Sequence, residues 1–185
     1  MKACLIAWIT VTWILNIALG ENTMLQKKKV QLKTVDFENC GPENDPVKLK
    51  NLQVQPLSDG DAKVEALIDV MEDIPAPIRV ETVISKLMFK SYVKLPCIQS
   101  WGSCTFKDVC HQDQGKCLFP MMEEFNFPCQ CPIKKGPIKI HRDKFPVPEI
   151  AFASAIVGDY TSTIKAFQGK ENRQLACINF NFTLV

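Results

Sequence analysis

The sequence predicts an all-β fold, an antiparallel sandwich or cup stapled by four disulfides. Three observations carry that prediction. Apolar and polar residues alternate with a two-residue period in several separate stretches, no stretch of ordinary helix length shows helical periodicity, and eight of the nine cysteines remain once an N-terminal leader is set aside.

The alternation is plain in Lys63 to Val70, where Val64, Ala66, Ile68 and Val70 share one face and Lys63, Glu65 and Asp69 the other, after a turn at Asp59-Gly60. Ile78, Val80, Thr82 and Ile84 repeat it against Arg79, Glu81 and Ser85. The stretch runs on through Leu87, Phe89, Val93 and Leu95 with a slip of phase near Lys86, which predicts a bulge or a turn. At the C-terminus Ile178, Phe180, Phe182 and Leu184 face one way and Asn179, Asn181 and Thr183 the other. That strand should close the core with its polar face in water. Shorter strands are expected at Lys48 to Gln55, Ile138 to His141 and Tyr160 to Phe167, and strands without intervening helices argue for antiparallel pairing.

At the other end of the chain, Lys2 precedes the apolar run Ala3 to Ile17 and the small-residue exit Ala18-Leu19-Gly20, the order of a secretory signal peptide. The run contains Asn16 and lacks a basic stop-transfer cluster, which argues against an anchor. The expected organisation is a signal peptide over 1–20, a flexible tail over 21–36 that carries Lys27-Lys28-Lys29, and one domain over 37–185. Such a product would be lysosomal or secreted. Without residues 1–20 the chain keeps its 20 Asp+Glu and loses only Lys2 from its 22 Lys+Arg, a balance that gives no electrostatic footing for nucleic acid.

Cys4 leaves with the leader. The remaining Cys40, Cys97, Cys104, Cys110, Cys117, Cys129, Cys131 and Cys177 are an even set in an oxidising compartment, which favours disulfides. Cys110-His111 and Cys129-Gln130-Cys131 look like metal-ligand pairs, but their spacing fits no standard zinc finger, and no metal is expected. Cys40 and Cys177 stand apart near the two ends, so their pairing would tie the termini together. Spacing does not choose among the other connectivities.

The stretch Cys117-Leu118-Phe119-Pro120-Met121-Met122-Glu123-Glu124-Phe125-Asn126-Phe127-Pro128-Cys129 is too broken by proline for a long helix and too apolar for an ordinary loop. Leu118, Phe119, Met121, Met122, Phe125 and Phe127 either fold back on the core or form an adaptable apolar lip that touches lipid or membrane. In a lip, Glu123 and Glu124 would make membrane contact stronger in acid. Phe152 to Val157, with Phe152 and Ile156, offers a second apolar edge. Asn181-Phe182-Thr183 is a glycosylation sequon on the solvent side of its strand. Catalysis finds little support: His111 adjoins a cysteine, His141 lies in a strand, and there is neither a nucleophile elbow nor a phosphate loop. The chain is therefore expected not to be an enzyme and to need no cofactor.

A set of short segments resembles the lysosomal ganglioside activators, the non-enzymatic cofactors of β-hexosaminidase A, and the wider lipid-recognition β-sandwich (ML-domain) family. They are Phe37-Glu38-Asn39-Cys40, Asp45-Pro46, Lys94-Leu95-Pro96-Cys97, Gly102-Ser103-Cys104-Thr105-Phe106, Pro128-Cys129-Gln130-Cys131-Pro132, Val147-Pro148-Glu149 and the late Cys177. The resemblance implies an antiparallel β-cup with an apolar lipid cavity and the disulfides Cys40 to Cys177, Cys97 to Cys104, Cys110 to Cys131 and Cys117 to Cys129. It further implies a protein that lifts a glycosphingolipid from a membrane, which it touches transiently, and presents it to a lysosomal β-hexosaminidase. A secreted carrier that hands its lipid to a receptor needs the same cup. This chain departs from the activators at the rim. Tyr92 stands where they carry a membrane-facing tryptophan, and Ala153-Ser154-Ala155-Ile156 replaces a loop with another.

Overall fold

The computed structural model describes residues 28–185 apart from 99, 111–124, 126, 129, 146–148, 151–155 and 170. The expected signal peptide lies outside them. Eleven strands form among the described residues: β1 Lys28–Lys29, β2 Leu32–Asn39, β3 Val47–Pro56, β4 Ala62–Val70, β5 Ile78–Met88, β6 Ser91–Lys94, β7 Thr105–Phe106, β8 Gly136–Phe145, β9 Glu149–Ile150, β10 Gly158–Gln168 and β11 Arg173–Leu184. Every pairing between them is antiparallel. A large sheet runs β2-β11-β10-β5-β6 with β7 also on β5, a smaller one runs β3-β4-β8, and β1 pairs with β9.

The expected strands therefore form, most of them longer than read. The phase slip near Lys86 resolves as a hairpin three residues on, with Met88 opposite Ser91 and Phe89-Lys90 as its turn. The turn at Asp59-Gly60 is closed by bonds from Leu57 N to Asp61 O and Gly60 N to Leu57 O, with Gly60 at φ 83°. β2 starts at Leu32, and Gln31 exchanges two backbone hydrogen bonds with Val185. Its alternation is hidden by an irregularity: Thr34 pairs Thr183 but Leu32 pairs Leu184, so one residue between them is extra and the two-residue period breaks there.

Register and packing together identify the inward faces. Val47, Ile68, Val80, Ile138 and Ala166 pack around the buried cluster Val70, Ile74, Ile78 and Leu175, so each of these strands turns that side-chain set to the interior. The two sheets meet along β2, β11 and β3, where the Asn39 side chain donates to Leu49 O and accepts from Leu49 N. Three disulfides occur among the described residues, Cys40–Cys177, Cys97–Cys104 and Cys110–Cys131, which are three of the pairs the family resemblance implies. The Cys117 to Cys129 pair lies outside the described residues.

Two of these bridges and the buried cluster gather at one end. Cys177 adjoins buried Leu175, while Cys110 and Cys131 pack on the cluster and link the segment after β7 to the segment before β8. Here Asp45, 3 % exposed, accepts a hydrogen bond from the Gln174 amide at 2.9 Å. A side chain at Gly41 would overlap the Asp45 carboxylate, which explains glycine directly after Cys40. In the Cys97–Cys104 loop Gly102 is in the left-handed region at φ 97° and lies against the Pro96 carbonyl, so this tight loop also requires glycine.

Candidate functional site

Away from the stapled end the interior changes character. On the large sheet the inward rows hold Val35 and Phe37 of β2, Ile178, Phe180 and Phe182 of β11, Ile164 of β10 and Ile84 of β5. The small sheet answers with Leu52 and Val54 of β3, Val64 and Ala66 of β4, and Ile140 of β8. All of these are only half-buried although they face inward. At the stapled end, by contrast, Ile74 and Leu175 are each 1 % exposed. Close packing at the disulfide-stapled end and half-buried inward apolar side chains along the rest of both sheets describe a cup, whose β10 end holds the buried Tyr160 and Ser162, each 6 % exposed.

This end of the sheets holds aromatic contacts and three cations, Lys86, Arg142 and Lys144. The Tyr160 and Phe182 rings stack at 5.0 Å, and the Tyr160 hydroxyl donates to the Ile156 carbonyl. Burial pushes the Tyr160 phenol above its ordinary range. Lys86, in register with Tyr160, sets its Nζ 5.7 Å from the ring centre. On the facing sheet Arg142 continues the inward row of Ile138 and Ile140 and pairs with Val64. Phe125 stacks on Phe145 at 5.1 Å beside the end of β8. Lys144, hydrogen-bonded to Asp59 at 2.6 Å and paired with Asp61 at 3.3 Å, fastens the β3–β4 turn to β8. The Lys144 ammonium holds the Asp59 carboxyl below the usual carboxylate range.

The structure divides the residues expected to meet lipid. Tyr92 is exposed on the outer face of the hairpin, opposite Leu87. Phe125, Phe127 and Ile156 are half-buried, Phe125 against Phe145 and Ile156 beneath Tyr160. Leu118, Phe119, Met121, Met122, Phe152 and the Glu123-Glu124 pair lie outside the described residues. Asn181 is exposed on the outer face, as the alternation requires.

Among the described residues, the most exposed apolar surface is one that sequence reasoning did not single out. Phe89 is 102 % exposed at the tip of the β5–β6 hairpin, and Leu87, Met88 and Val93 flank it with Tyr92. The signal was present: a two-residue turn normally carries Gly, Asn or Asp, whereas this one is Phe-Lys. Ile98 and Trp101 are likewise exposed in the Cys97–Cys104 loop along the edge of β5.

His141 has a different setting. It projects from the outer face of β8, within 3.4 Å of Glu65 and 3.3 Å of Asp143, and Lys63 bonds Glu65 at 2.9 Å. The Lys63 ammonium holds the Glu65 carboxyl below its ordinary range. This is an exposed ion-pair cluster remote from the cup. His111 lies outside the described residues.

This chain is similar to several known proteins. The curated proteins similar to this chain include the ganglioside GM2 activator of Mus musculus, 26 % identical over 170 residues and covering 87 % of each chain. The ganglioside GM2 activator of Macaca fascicularis is 28 % identical over 165 residues, covering 83 % of this chain and 85 % of the other. Among solved structures, chicken MD-1 complexed with lipid IVa aligns with a TM-score of 0.38 at 14 % identity, covering 83 % of this chain and 96 % of that one. The ML-domain family model matches residues 34–184, nearly all of the described structure and all the segments that carried the resemblance. The chain is a member of the ML-domain family.

Proposed function

We propose that this protein is a non-enzymatic lipid carrier that takes the acyl chains of a membrane lipid between its two sheets and leaves the headgroup outside. The observation that carries the reading is the part of the cup beyond the stapled end, where apolar side chains face inward on both sheets yet remain half-buried. A protein interior is normally packed as densely as an organic crystal, so accessible inward rows mark room for a guest. An eighteen-carbon chain costs on the order of 14 kcal/mol to expose to water, at ~0.8 kcal/mol per methylene. Moving it from a bilayer into an apolar cup is nearly neutral, so exchange is reversible. The exposed apolar hairpin at Phe89, with Met88, Tyr92 and Val93, supplies the membrane contact, flanked by Lys90 and Lys94.

The finer reading is that the guest is a glycosphingolipid such as a ganglioside, lifted clear of the membrane and presented to a lysosomal glycosidase of the β-hexosaminidase type. The shared family and the names of the mouse and macaque relatives support it. The leader-like residues 1–20 and the disulfides fit a lysosomal or secreted product, and the exposed Asn181 suits a glycan.

The test is vesicle-to-vesicle transfer of a fluorescent glycosphingolipid by the purified protein. Transfer without hydrolysis, together with faster sugar release when β-hexosaminidase A is added, supports the reading. Transfer without any effect on the hydrolase supports a carrier that serves a receptor. Hydrolysis by the purified protein alone overturns the account.

A further inference from the structure

The inward face of β10 carries one hydroxyl that the fold does not use. Along that strand Tyr160, Ser162, Ile164 and Ala166 share one face. Ala166 packs on the buried cluster, so the whole face, Ser162 included, looks into the cup. Register sets Ser162 between Phe180 of β11 and Ile84 of β5, with Phe37 of β2 next along the same row. Ser162 is 6 % exposed, whereas Phe37, Phe180, Ile84 and Ile164 around it are half-buried. A small residue set lower than its larger apolar neighbours makes a notch in the wall, and the hydroxyl lies on its floor.

A buried hydroxyl without a partner is costly, and native structures rarely keep one without a use. The polar side chains nearest to it on these rows are engaged. Asn39 bonds both backbone groups of Leu49. The Thr82 hydroxyl donates to the Gly102 carbonyl at 2.8 Å and accepts from Cys104 N at 3.0 Å, and the Tyr160 hydroxyl donates to the Ile156 carbonyl. Lys86 lies over the Tyr160 ring. The Ser162 hydroxyl, by contrast, has no hydrogen-bond partner among the described residues. Nor is it sealed in, because among those residues no side-chain oxygen closed off from solvent lacks a partner. The hydroxyl is therefore both free and accessible, and the space it reaches is the interior between the sheets.

We propose that Ser162 is a hydrogen-bond anchor inside the cup that donates to the carbonyl joining an acyl chain to the polar part of the lipid. The inference rests on the lipid-carrier reading and adds to it the atom of the guest that is fixed and the residue that fixes it. The methylenes of an acyl chain offer a hydroxyl nothing, whereas the amide or ester carbonyl at the head of the chain is an acceptor that enters an apolar site with it. Without a donor there, that carbonyl would give up its hydrogen bond to water for nothing. The surroundings suit the rest of the chain. Phe180 and Ile84 flank the hydroxyl with apolar surface, and at 3.3–3.4 Å per residue the row of Ser162 stands roughly 13 Å from that of Ala166 at the closed end, a depth left for methylenes.

The experiment compares wild type with Ser162→Ala, which removes the hydroxyl and little else, in equilibrium uptake of three chain-labelled lipids. These are galactosylceramide with an amide carbonyl, diacyl phosphatidylcholine with ester carbonyls, and dialkyl phosphatidylcholine, whose ether links have none. Each is present in trace amount in vesicles of unlabelled dialkyl phosphatidylcholine. The alanine variant should take up a carbonyl lipid about fivefold less well, the scale of one neutral hydrogen bond, and the ether lipid as well as wild type does. Its melting temperature should be unchanged or higher, since no bond of the empty protein is lost. A loss confined to galactosylceramide assigns the anchor to an amide, and one confined to diacyl phosphatidylcholine assigns it to an ester. An equal loss for all three lipids, or no loss for any, would overturn the anchor and leave the carrier reading standing. A lowered melting temperature would show the hydroxyl bonded within the protein and would overturn it likewise. Uptake of none of the three by folded wild type would sink both readings.

Discussion

Phe89 sits at the first position of a two-residue turn with φ 59°, its ring fully exposed, and Lys90 N bonds back to Met88 O at 2.8 Å. That left-handed conformation costs an L-residue about 1–2 kcal/mol, whereas glycine adopts it freely at the expense of ~0.5–1 kcal/mol of extra chain entropy in the unfolded state. Because the ring packs against nothing, Phe89→Gly should raise stability by about 0.5–1 kcal/mol, a gain of a few degrees in melting temperature. The same substitution removes the most exposed apolar side chain from the hairpin. Burying a phenylalanine is worth about 1.5–3 kcal/mol, so partition onto vesicles should fall by roughly thirtyfold. Flotation with phosphatidylcholine vesicles and thermal unfolding by circular dichroism, run on one preparation, read both quantities. Stability and membrane binding should move in opposite directions. Unchanged flotation would refute the assignment of this hairpin to the membrane, and a fall in melting temperature would show that the ring is packed after all.

Replacing Cys40 and Cys177 together by alanine opens a loop with a sequence separation of 137, worth about 5 kcal/mol in the chain-entropy account. Short-circuiting through the inner bridges, with separations of 7 and 21, lowers this by only about 0.2 kcal/mol. The guanidinium midpoint should fall accordingly, and an unmoved midpoint would contradict the role of this bridge. Leu175→Ala, at 1 % exposure in the closed end, should cost about 2–5 kcal/mol, while Phe180→Ala, inward but half-buried, should cost clearly less stability and more lipid uptake. Equal losses from the two would mean that the cup is a filled core. Asp59, Asp73 and Glu65 are held below their ordinary ranges by hydrogen bonds from Lys144, Lys134 and Lys63, so their stabilisation is present above the unfolded carboxylate range and is lost as pH falls through the lowered values. Their ion pairs should persist from pH 7 to 5 and fail below about pH 4, so a melting curve that collapses already at pH 5 would contradict this.

What could be read in advance depended on whether local pattern alone fixed the structure. Ile178, Phe180, Phe182 and Leu184 alternate without interruption, and β11 forms as their spacing requires. β2 escaped because one extra residue near Lys33 breaks the period, which only its partner strand reveals. The β5–β6 turn was displaced in the reading because Met88, Phe89 and Lys90 carry none of the usual turn residues, and the hairpin is imposed by pairing with Ser91 to Lys94. Ending the β8 strand at His141 stopped one residue short of Arg142, so its inward position was invisible until β4 supplied the register. Cysteine spacing did not dictate the pairing either. That came from the order of short segments shared with a family, since contacts between distant segments are not written in local periodicity.

The most direct test of a lipid-filled cup is native mass spectrometry of the protein purified without detergent. The account predicts a one-to-one complex whose added mass is a single lipid, released on denaturation and regained from vesicles. A folded protein that carries no lipid, and takes up none from galactosylceramide-doped vesicles, would contradict it.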